Sequence, residues 1–349
     1  MLRSVSTLPI PHSAALKLQE SGFQYIEDIL SSEAAKEEVR LILRHWGKDT
    51  WDSLERWNSP PKSETALEIW QTEAKLRNII TFCEVVDDVL GGGIALRRIT
   101  EFCGAPGTGK TQFCLQLCVS VQIPSCFGGV SGEAIYIDAD SGFSPDRLRG
   151  TYKNIAKSCA KHCEKLRKDA SPNDSANIEE FSEESILNGV HYIAVNDHVE
   201  LMATVSLLEN FLESNEKVKL VVLDSLAFVF RYGATSFKDR TRLLYRIMSD
   251  LQNLALKFNI AVVVTNQLTT SLEVSLEGGS VSKSSLIPSL GESFAHLVGL
   301  RLILGPPPPS ASCSLNGSLP LMLLVAKSCE LPAASALFEV EEGGIRDAA

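Results

Sequence analysis

The stretch 104–111 constrains the fold of this chain more than any other. It consists of Gly104-Ala105-Pro106-Gly107-Thr108-Gly109-Lys110-Thr111 and matches the phosphate-loop pattern G-x-x-x-x-G-K-[ST] at every fixed position. The preceding residues 99–103 are apolar and alternating, which predicts a strand, and residues 112–121 predict an apolar helix. A strand, a glycine-rich loop and a helix in this order form the setting in which the pattern binds phosphates.

The loop predicts a nucleotide site for physical reasons. Glycines let backbone N–H groups wrap around a phosphate chain, and the following helix directs its positive end to the same place. Lys110 is expected to reach the β- and γ-phosphates, and the Thr111 hydroxyl to bind Mg²⁺. ATP and Mg²⁺ are therefore the expected cofactors. The loop residues expected to bind them are Gly104, Ala105, Pro106, Gly107, Thr108, Gly109, Lys110, Thr111 and Gln112.

Three later strands end in polar groups suited to the same chemistry. Asp224 follows an apolar run and has the form of a carboxylate that holds Mg²⁺. Asp140 is the candidate for orienting an attacking water, and Asp138 competes with it. Asn266 and Gln267 end another strand and are placed to sense the γ-phosphate. For Asp140 and for the two amides, an ordinary strand-end turn is the alternative interpretation.

The order of elements predicts an α/β fold. From residue 99 onward, strands and helices alternate, which indicates a doubly wound and mostly parallel sheet with a β-rich C-terminal segment. Ligands bind such sheets at the carboxyl ends of the strands, where the phosphate loop lies. The three β-rich runs of the C-terminal segment are 297–304, 319–326 and 335–341.

The N-terminal part predicts a small all-helical domain. Helices are expected between residues 9 and 46, with a Ser21-Gly22 turn, and two interpretations stay open: a hairpin that binds a nucleic-acid backbone, or a plain helical adaptor. The expected domains are 1–52, which is helical, 53–78, a linker with an interface strand, and 79–349, the ATPase core. Within the linker, 65–75 predicts a strand that leads into a short helix.

Composition limits the range of partners. The formal net charge of −10 argues against a grip on nucleic acid by the whole surface, so such contacts must come from local basic loops. No apolar run is long enough to cross a membrane. The nine scattered cysteines suit reduced thiols better than a disulfide framework. Cys159, His162 and Cys163 stand at helical spacing without a second pair of ligands, so zinc is disfavoured.

These segments, in this order, resemble the RecA-like recombinases of eukaryotes. The resemblance covers nearly the whole chain and includes the helical N-terminal unit, the phosphate loop, the Asp224 strand and the run 291–296. Within the family it is closest to the C-type paralogues, with 121–134 as its most distinctive stretch. The resemblance implies a RecA-like P-loop ATPase core.

The resemblance also implies a function. We expect a DNA-dependent ATPase subunit of recombinase-paralogue complexes, acting in homologous-recombination repair of double-strand breaks. It would bind single-stranded DNA and assist recombinase filament assembly. The implied partners are the B-, D- and X-ray-repair-type paralogues, with ATP at the subunit junctions. The implied location is nuclear, and also cytoplasmic. The alternative is an interaction subunit that uses ATP as structural glue and hydrolyses little.

Individual roles follow from the same resemblance. Lys110, Asp140 and Gln267 would be catalytic, and Arg147 would lie over the adenine. Asn266, Gln267 and His296 would couple nucleotide state to two DNA loops, one after Arg231 and one at about 269–290. The stretch 328–332 resembles a cap over a neighbouring subunit's ATP. The expected DNA-binding residues are Arg231, Lys238, Arg240, Arg242 and Lys283, with a solvated helix start as the alternative for the first loop.

The chain departs from the family pattern at two positions. Asp140-Ser141 stands where the recombinases have a glutamate followed by glycine, so the carboxyl group is one methylene shorter. Ser63 stands where filament-forming members carry a linker phenylalanine, three residues before Ala66. Large aromatic anchors dominate interfaces, so self-polymerisation through this segment is not expected.

Overall fold

The computed structural model describes residues 3–8, 10–30, 32–46, 50–51, 63–166, 182–230, 237–274, 281–308, 320–341 and 343–348, with only the backbone described at 156–166, 237–238, 270–274, 281–285 and 292. The chain forms two compact units, Met1–Glu73 and Ala74–Ala349. The predicted domain boundaries at 52 and 78 stay predictions.

The N-terminal unit contains the predicted short helices. They are α1 (His12–Glu20), α2 (Ile26–Leu30) and α3 (Glu33–Leu43), flanked by 3₁₀ turns at Val5–Thr7 and Arg44–Trp46. The Ser32 hydroxyl caps α3 by accepting the Ala35 N–H. The three helices enclose one small apolar core, formed by Val5, Leu18, Phe23, Ile26, Ile29, Val39 and Leu43.

Helix α4 (Ala66–Glu73) occupies the place where the sequence predicts a strand leading into a short helix. No strand is present in the described residues 63–78. The cause is a capping box: the Thr65 hydroxyl accepts the Glu68 N–H at 3.2 Å, and the Glu68 carboxylate accepts the Thr65 N–H at 2.7 Å. This pair starts the helix directly at Ala66.

The second unit alternates helices and strands as predicted. Its helices are α5 (Glu84–Val89), α6 (Lys110–Ser120), α7 (Pro145–Leu166), α8 (Glu183–Asn188), α9 (His198–Ser214), α10 (Leu226–Val229), α11 (Phe237–Phe258) and α12 (Glu292–Ala295). Its strands are β1 (Ile99–Gly104), β2 (Glu133–Asp138), β3 (Val190–Ala194), β4 (Val218–Asp224), β5 (Ala261–Val274), β6 (Val281–Pro288), β7 (Leu300–Gly305), β8 (Leu321–Ser328), β9 (Ser335–Glu341) and β10 (Gly344–Asp347).

The main sheet has the order β10-β9-β8-β7-β1-β5-β4-β2-β3. Neighbouring strands are parallel from β3 to β7 and antiparallel from β7 to β10, so the α/β prediction is confirmed. Strand β10 was not predicted. Strand β1, which leads into the phosphate loop, lies between β5 and β7, well inside the sheet.

Both faces of the central strands are buried. Alternate residues of β2 enter two separate cores, with Ala134 and Tyr136 on the side of α6, and Ile135 and Ile137 on the side of α9 and α11. This double burial explains why the central strands have nearly continuous apolar sequences. In the part of the chain that the structure describes, no helix is both long and apolar enough to cross a membrane.

Within the predicted DNA loop at 269–290, the described residues 269–274 and 281–288 form two paired strands, and the DNA-binding role stays a prediction. Strand β5 continues to Val274 and pairs antiparallel with β6, with Leu268 opposite Pro288 and Glu273 opposite Lys283. The sequence carried the signal, because β-branched residues flank a Gly278-Gly279 pair that is typical of turns. Strand β5 is therefore longer than the sequence predicts.

Phe338 joins the C-terminal strands to the helix that follows the phosphate loop. Its ring meets Phe113 edge-on at 5.1 Å, and Phe113 stacks on Phe102 at 5.1 Å. Phe338→Ala should therefore lower the free energy of unfolding by about 3–5 kcal/mol. Urea denaturation followed by circular dichroism measures this change. Leu207→Ala, at an exposed position of α9, is the control and should change it by less than about 0.5 kcal/mol. Equal effects in the two variants would contradict the packing role.

Candidate functional site

A cavity of about 610 Å³ lies at the carboxyl ends of β1, β4 and β5. Its volume is in the usual range of small-ligand sites. The fold brings together residues that the sequence predicted from five separate segments. The predicted residues that line it are Pro106, Gly107, Gly109, Lys110, Thr111, Gln112, Asp140, Arg147, Asp224 and Gln267.

The phosphate loop requires glycine at several points. Gly107 and Gly109 have φ angles of 81° and 88°, in the left-handed region that favours glycine. A Cβ at Gly104 would lie 2.3 Å from the Thr108 hydroxyl and 2.9 Å from the Leu304 carbonyl oxygen. Thr108 in turn donates to the Ala105 carbonyl at 2.8 Å, so these residues shape the loop from within.

Lys110 is bonded to the loop itself. Its Nζ donates to the carbonyl oxygens of Gly104 and Ala105, each at 2.8 Å. Burial lowers the pKa of this ammonium group from its ordinary value. A cation at the start of helix α6, beside backbone N–H groups, is suited to an anionic ligand.

Asp224 is the most heavily bonded carboxylate at the cavity. It is only 2% exposed. Its Oδ2 accepts hydrogen bonds from the Thr111 hydroxyl at 2.7 Å and the Tyr136 hydroxyl at 2.8 Å, and its Oδ1 accepts one from Thr265 at 2.5 Å. Hydroxyl groups from α6, β2 and β5 therefore fix the carboxylate of Asp224 on β4. One of them, that of Thr111, is the hydroxyl that was predicted to bind Mg²⁺.

The donor set suits Mg²⁺ with a nucleotide. Mg²⁺ takes one or two protein ligands and fills its other positions with water and phosphate oxygens. Accordingly, the described residues contain no group of three or more His, Cys, Asp or Glu side chains that could hold a metal. The Ser225 hydroxyl, at the wall of the cavity, is buried without a hydrogen-bond partner. The side chains of the Cys159, His162 and Cys163 group lie outside the described part.

Asp138 and Asp140 have different surroundings. Asp138 accepts the N–H groups of Gly142 and Phe143, each at 3.1 Å, and so holds the turn together. Asp140 lines the cavity. Burial, with the nearby carboxylates of Asp224 and Asp138, raises its pKa to about 6. Of the two, only Asp140 lines the cavity, and its pKa is suited to exchanging protons near neutral pH.

The predicted coupling residues are not all at the cavity. Gln267 lines it, whereas Asn266 is buried behind it. His296 is exposed just after α12 and does not belong to the described lining. Arg147 lines the cavity, as do Val340 and Glu341, and its role over an adenine stays a prediction.

The basic residues predicted to bind DNA divide into three groups. Arg242 is exposed on α11. Arg240 is partly buried and donates from Nη2 to the Ser289 carbonyl oxygen at 3.2 Å, and burial lowers the pKa of its guanidinium group. Arg231 and the side chains of Lys238 and Lys283 lie outside the described part. The structure thus gives Arg240 an intramolecular partner that the sequence did not predict.

Several site residues were missed from the sequence. Tyr136 and Thr265 orient Asp224 from neighbouring strands, and a polar residue inside an apolar strand was the available signal. Val340 and Glu341 reach the cavity from β9. Nothing local predicts their role, because only the antiparallel return of the C-terminal strands brings them there.

A family model described as Rad51 matches residues 72–168 and 173–348. "DNA repair protein RAD51 homolog 3" of Cricetulus griseus is 37% identical over 318 residues, which cover 87% of this chain and 83% of that protein. The protein of the same name from Dictyostelium discoideum is 38% identical over 77% of this chain and 65% of its own length. "DNA repair protein RAD51 homolog 2" of Homo sapiens is 31% identical, with 76% and 67% covered.

Tyr136→Phe tests the orientation of Asp224. Without the phenolic donor, the carboxylate loses one of its three hydrogen bonds, and loss of such an outer partner weakens metal binding by roughly 10–100-fold. We expect the Mg²⁺ concentration required for binding of a non-hydrolysable ATP analogue to rise accordingly in calorimetric titrations. Tyr192→Phe, which removes a hydroxyl that donates to Asp138 at 3.3 Å, is the matched control. An unchanged Mg²⁺ requirement in Tyr136→Phe would contradict the assignment.

Proposed function

The chain belongs to the Rad51 family, and on that premise we propose that it is an ATP-binding subunit of recombinase-paralogue complexes that repair DNA by homologous recombination. Members of this family are ATPases that use ATP with Mg²⁺. The observation that carries the proposal is the cavity in which the phosphate loop, Thr111 and Asp224 meet.

Each group at the cavity has a proposed part. The loop N–H groups and Lys110 would hold the phosphates, and Thr111 and Asp224 would hold Mg²⁺, which neutralises charge that develops on the phosphate oxygens. Asp140 would accept a proton from the attacking water, because a carboxylate with a pKa of about 6 is mostly ionised at neutral pH. Gln267 would report the state of the γ-phosphate to the β5–β6 hairpin.

A second function, ATP as structural glue with little hydrolysis, is favoured by one local feature. Ser141 has a φ of 61°, in the region that favours glycine, and it follows the shortened acid Asp140. A serine held in this conformation, with the acid one methylene shorter, would place the water less well than the glutamate-glycine pair of the recombinases. We rank hydrolysis first, because a misplaced base lowers a rate without abolishing it.

The relatives support the cellular part of the proposal. All three relatives are named as DNA repair proteins, and we propose the same process for this chain, with a nuclear location and also a cytoplasmic one. The proposed partners are the B-, D- and X-ray-repair-type paralogues, with ATP at the junctions, and single-stranded DNA. Arg242, exposed on α11, is the best-placed phosphate contact among the described basic residues of the prediction.

Lys110→Ala tests nucleotide binding. Removal of the ammonium group should weaken binding of Mg·ATP by at least about 2 kcal/mol, roughly thirtyfold in Kd, because a buried charge pair is broken. Calorimetry of the purified full chain measures this loss. Lys257→Ala is the control, because Lys257 pairs with Glu209 and Glu213 on the surface. Equal affinity in wild type and Lys110→Ala would exclude the phosphate-loop assignment.

Asp140→Asn tests hydrolysis and separates the two functions. We expect ATP turnover, measured with and without single-stranded DNA and partner subunits, to fall by roughly 10²–10⁴-fold with Mg·ATP binding retained. In wild type, kcat/KM should rise as pH increases through about 6, since Asp140 must lose its proton, and this limb should vanish in the variant.

Three results would count against this assignment. Equal rates in wild type and Asp140→Asn would remove Asp140 from the mechanism. A wild-type profile that is flat between pH 5 and 7 would do the same. Tight Mg·ATP binding without turnover under any of these conditions would favour the glue function.

A further inference from the structure

Ser289 closes the base of the β5–β6 hairpin with three hydrogen bonds. Its N–H donates to the Gln267 carbonyl oxygen at 2.8 Å, and its hydroxyl donates to Asn266 Oδ1 at 2.8 Å. Its own carbonyl oxygen accepts the bond from Arg240 Nη2. One residue, directly after β6, therefore connects the hairpin to the middle of β5 and to the beginning of α11.

Glu101 supports the base of the hairpin through Asn266, the residue to which the Ser289 hydroxyl is bonded. Its Oε1 accepts the Asn266 side-chain amide at 2.7 Å, and its Oε2 accepts Arg301 Nε at 2.6 Å. Glu101 and Asn266 are fully buried, and the Arg301 side chain is 9% exposed. The three side chains come from β1, β5 and β7, which are neighbours in the sheet. A buried charged pair adds little stability compared with apolar residues. We therefore attribute to the Glu101–Arg301 pair a role in positioning rather than in stability.

The pairing of β5 with the main sheet ends at Gln267. The ladder between β1 and β5 finishes with Gly104 opposite Gln267, and Gly104 is also the first residue of the phosphate loop. Beyond Gln267, the described part of β5 pairs with β6 alone. The direction of the hairpin is therefore set by the side-chain contacts at its base, directly beside a residue that lines the nucleotide cavity.

We propose that Glu101 and Ser289 are positioning residues that join the β5–β6 hairpin to the nucleotide cavity. A ligand that contacts Gln267 acts on the carbonyl group to which the Ser289 N–H is bonded, and the Glu101–Asn266–Ser289 chain transmits that contact to the hairpin. Arg240 joins this chain through its bond to the Ser289 carbonyl oxygen, and its DNA contact stays a prediction. This inference rests on the proposed nucleotide binding, and it specifies how the nucleotide site acts on the β5–β6 hairpin.

Hydrogen–deuterium exchange on the full chain tests the proposal. With Mg²⁺ and a non-hydrolysable ATP analogue, amides at 268–274 and 281–288 of the wild type should exchange more slowly, by roughly 5–150-fold, the usual range of coupling between two sites. In Ser289→Ala, and in the paired replacement Glu101→Leu with Arg301→Met, the ratio of the exchange rates without and with the analogue should fall close to 1. The paired replacement removes both charges together, and such swaps preserve folding in other proteins.

Two controls make the result specific. Ser293→Ala removes an exposed hydroxyl four residues after Ser289 and should leave the slowing unchanged. Calorimetry with the same analogue should give Kd values within about threefold of wild type for all variants that fold. Ser289→Ala alone decides the question if the paired replacement does not fold, because it deletes only one partly buried hydroxyl.

The outcomes separate this inference from the proposed function. Slowing in wild type that disappears in Ser289→Ala supports it. Slowing that persists in Ser289→Ala, or nucleotide binding without any slowing in wild type, overturns it while nucleotide binding stands. Failure of wild type to bind the analogue overturns the proposed function, and this inference with it.

Discussion

The carboxylate of Asp224 is the contact around which the site is built. It is buried at the end of β4, and hydroxyl groups from α6, β2 and β5 donate to it. A buried carboxylate is costly unless it is paired and hydrogen-bonded, and three donors meet that requirement. The first of these bonds fixes the Thr111 hydroxyl at the edge of the parallel sheet, and the bonds from Lys110 to the Gly104 and Ala105 carbonyls hold the ammonium group beside it, where we propose that a triphosphate and its metal bind. The packing of β2, β4 and β5 therefore determines the chemistry.

The sequence predicted the core elements well, because their patterns are local. A glycine-rich loop between an apolar strand and helix has one common structural solution, and strands buried on both faces are recognisable as continuous apolar runs. The sequence predicts a helix at 198–214 and a strand at 218–224, and helix α9 and strand β4 have these bounds. The site residues on the loop follow from the same local pattern, and their placement around one cavity follows from the parallel order of the strands.

The sequence predicted less where distant segments meet. The capping box of Thr65 and Glu68 starts a helix where the sequence predicts a strand, and β5 continues into the predicted loop. The DNA contact of Arg240 stays a prediction, whereas its bond to Ser289, 49 residues away, was not predicted. Tertiary contacts of this kind have no signature in a single sequence, and neither does the approach of Val340 and Glu341 to the cavity.

The most direct test is a crystal structure of the full chain with Mg²⁺ and a non-hydrolysable ATP analogue. We expect phosphate oxygens against the N–H groups of the loop and Mg²⁺ on the Thr111 hydroxyl, with Asp224 reaching the metal through water. Lys110 should exchange its bonds to the Gly104 and Ala105 carbonyls for bonds to phosphate. A loop without bound phosphate at saturating analogue, with Lys110 still bonded to those carbonyls, would contradict the proposed nucleotide site.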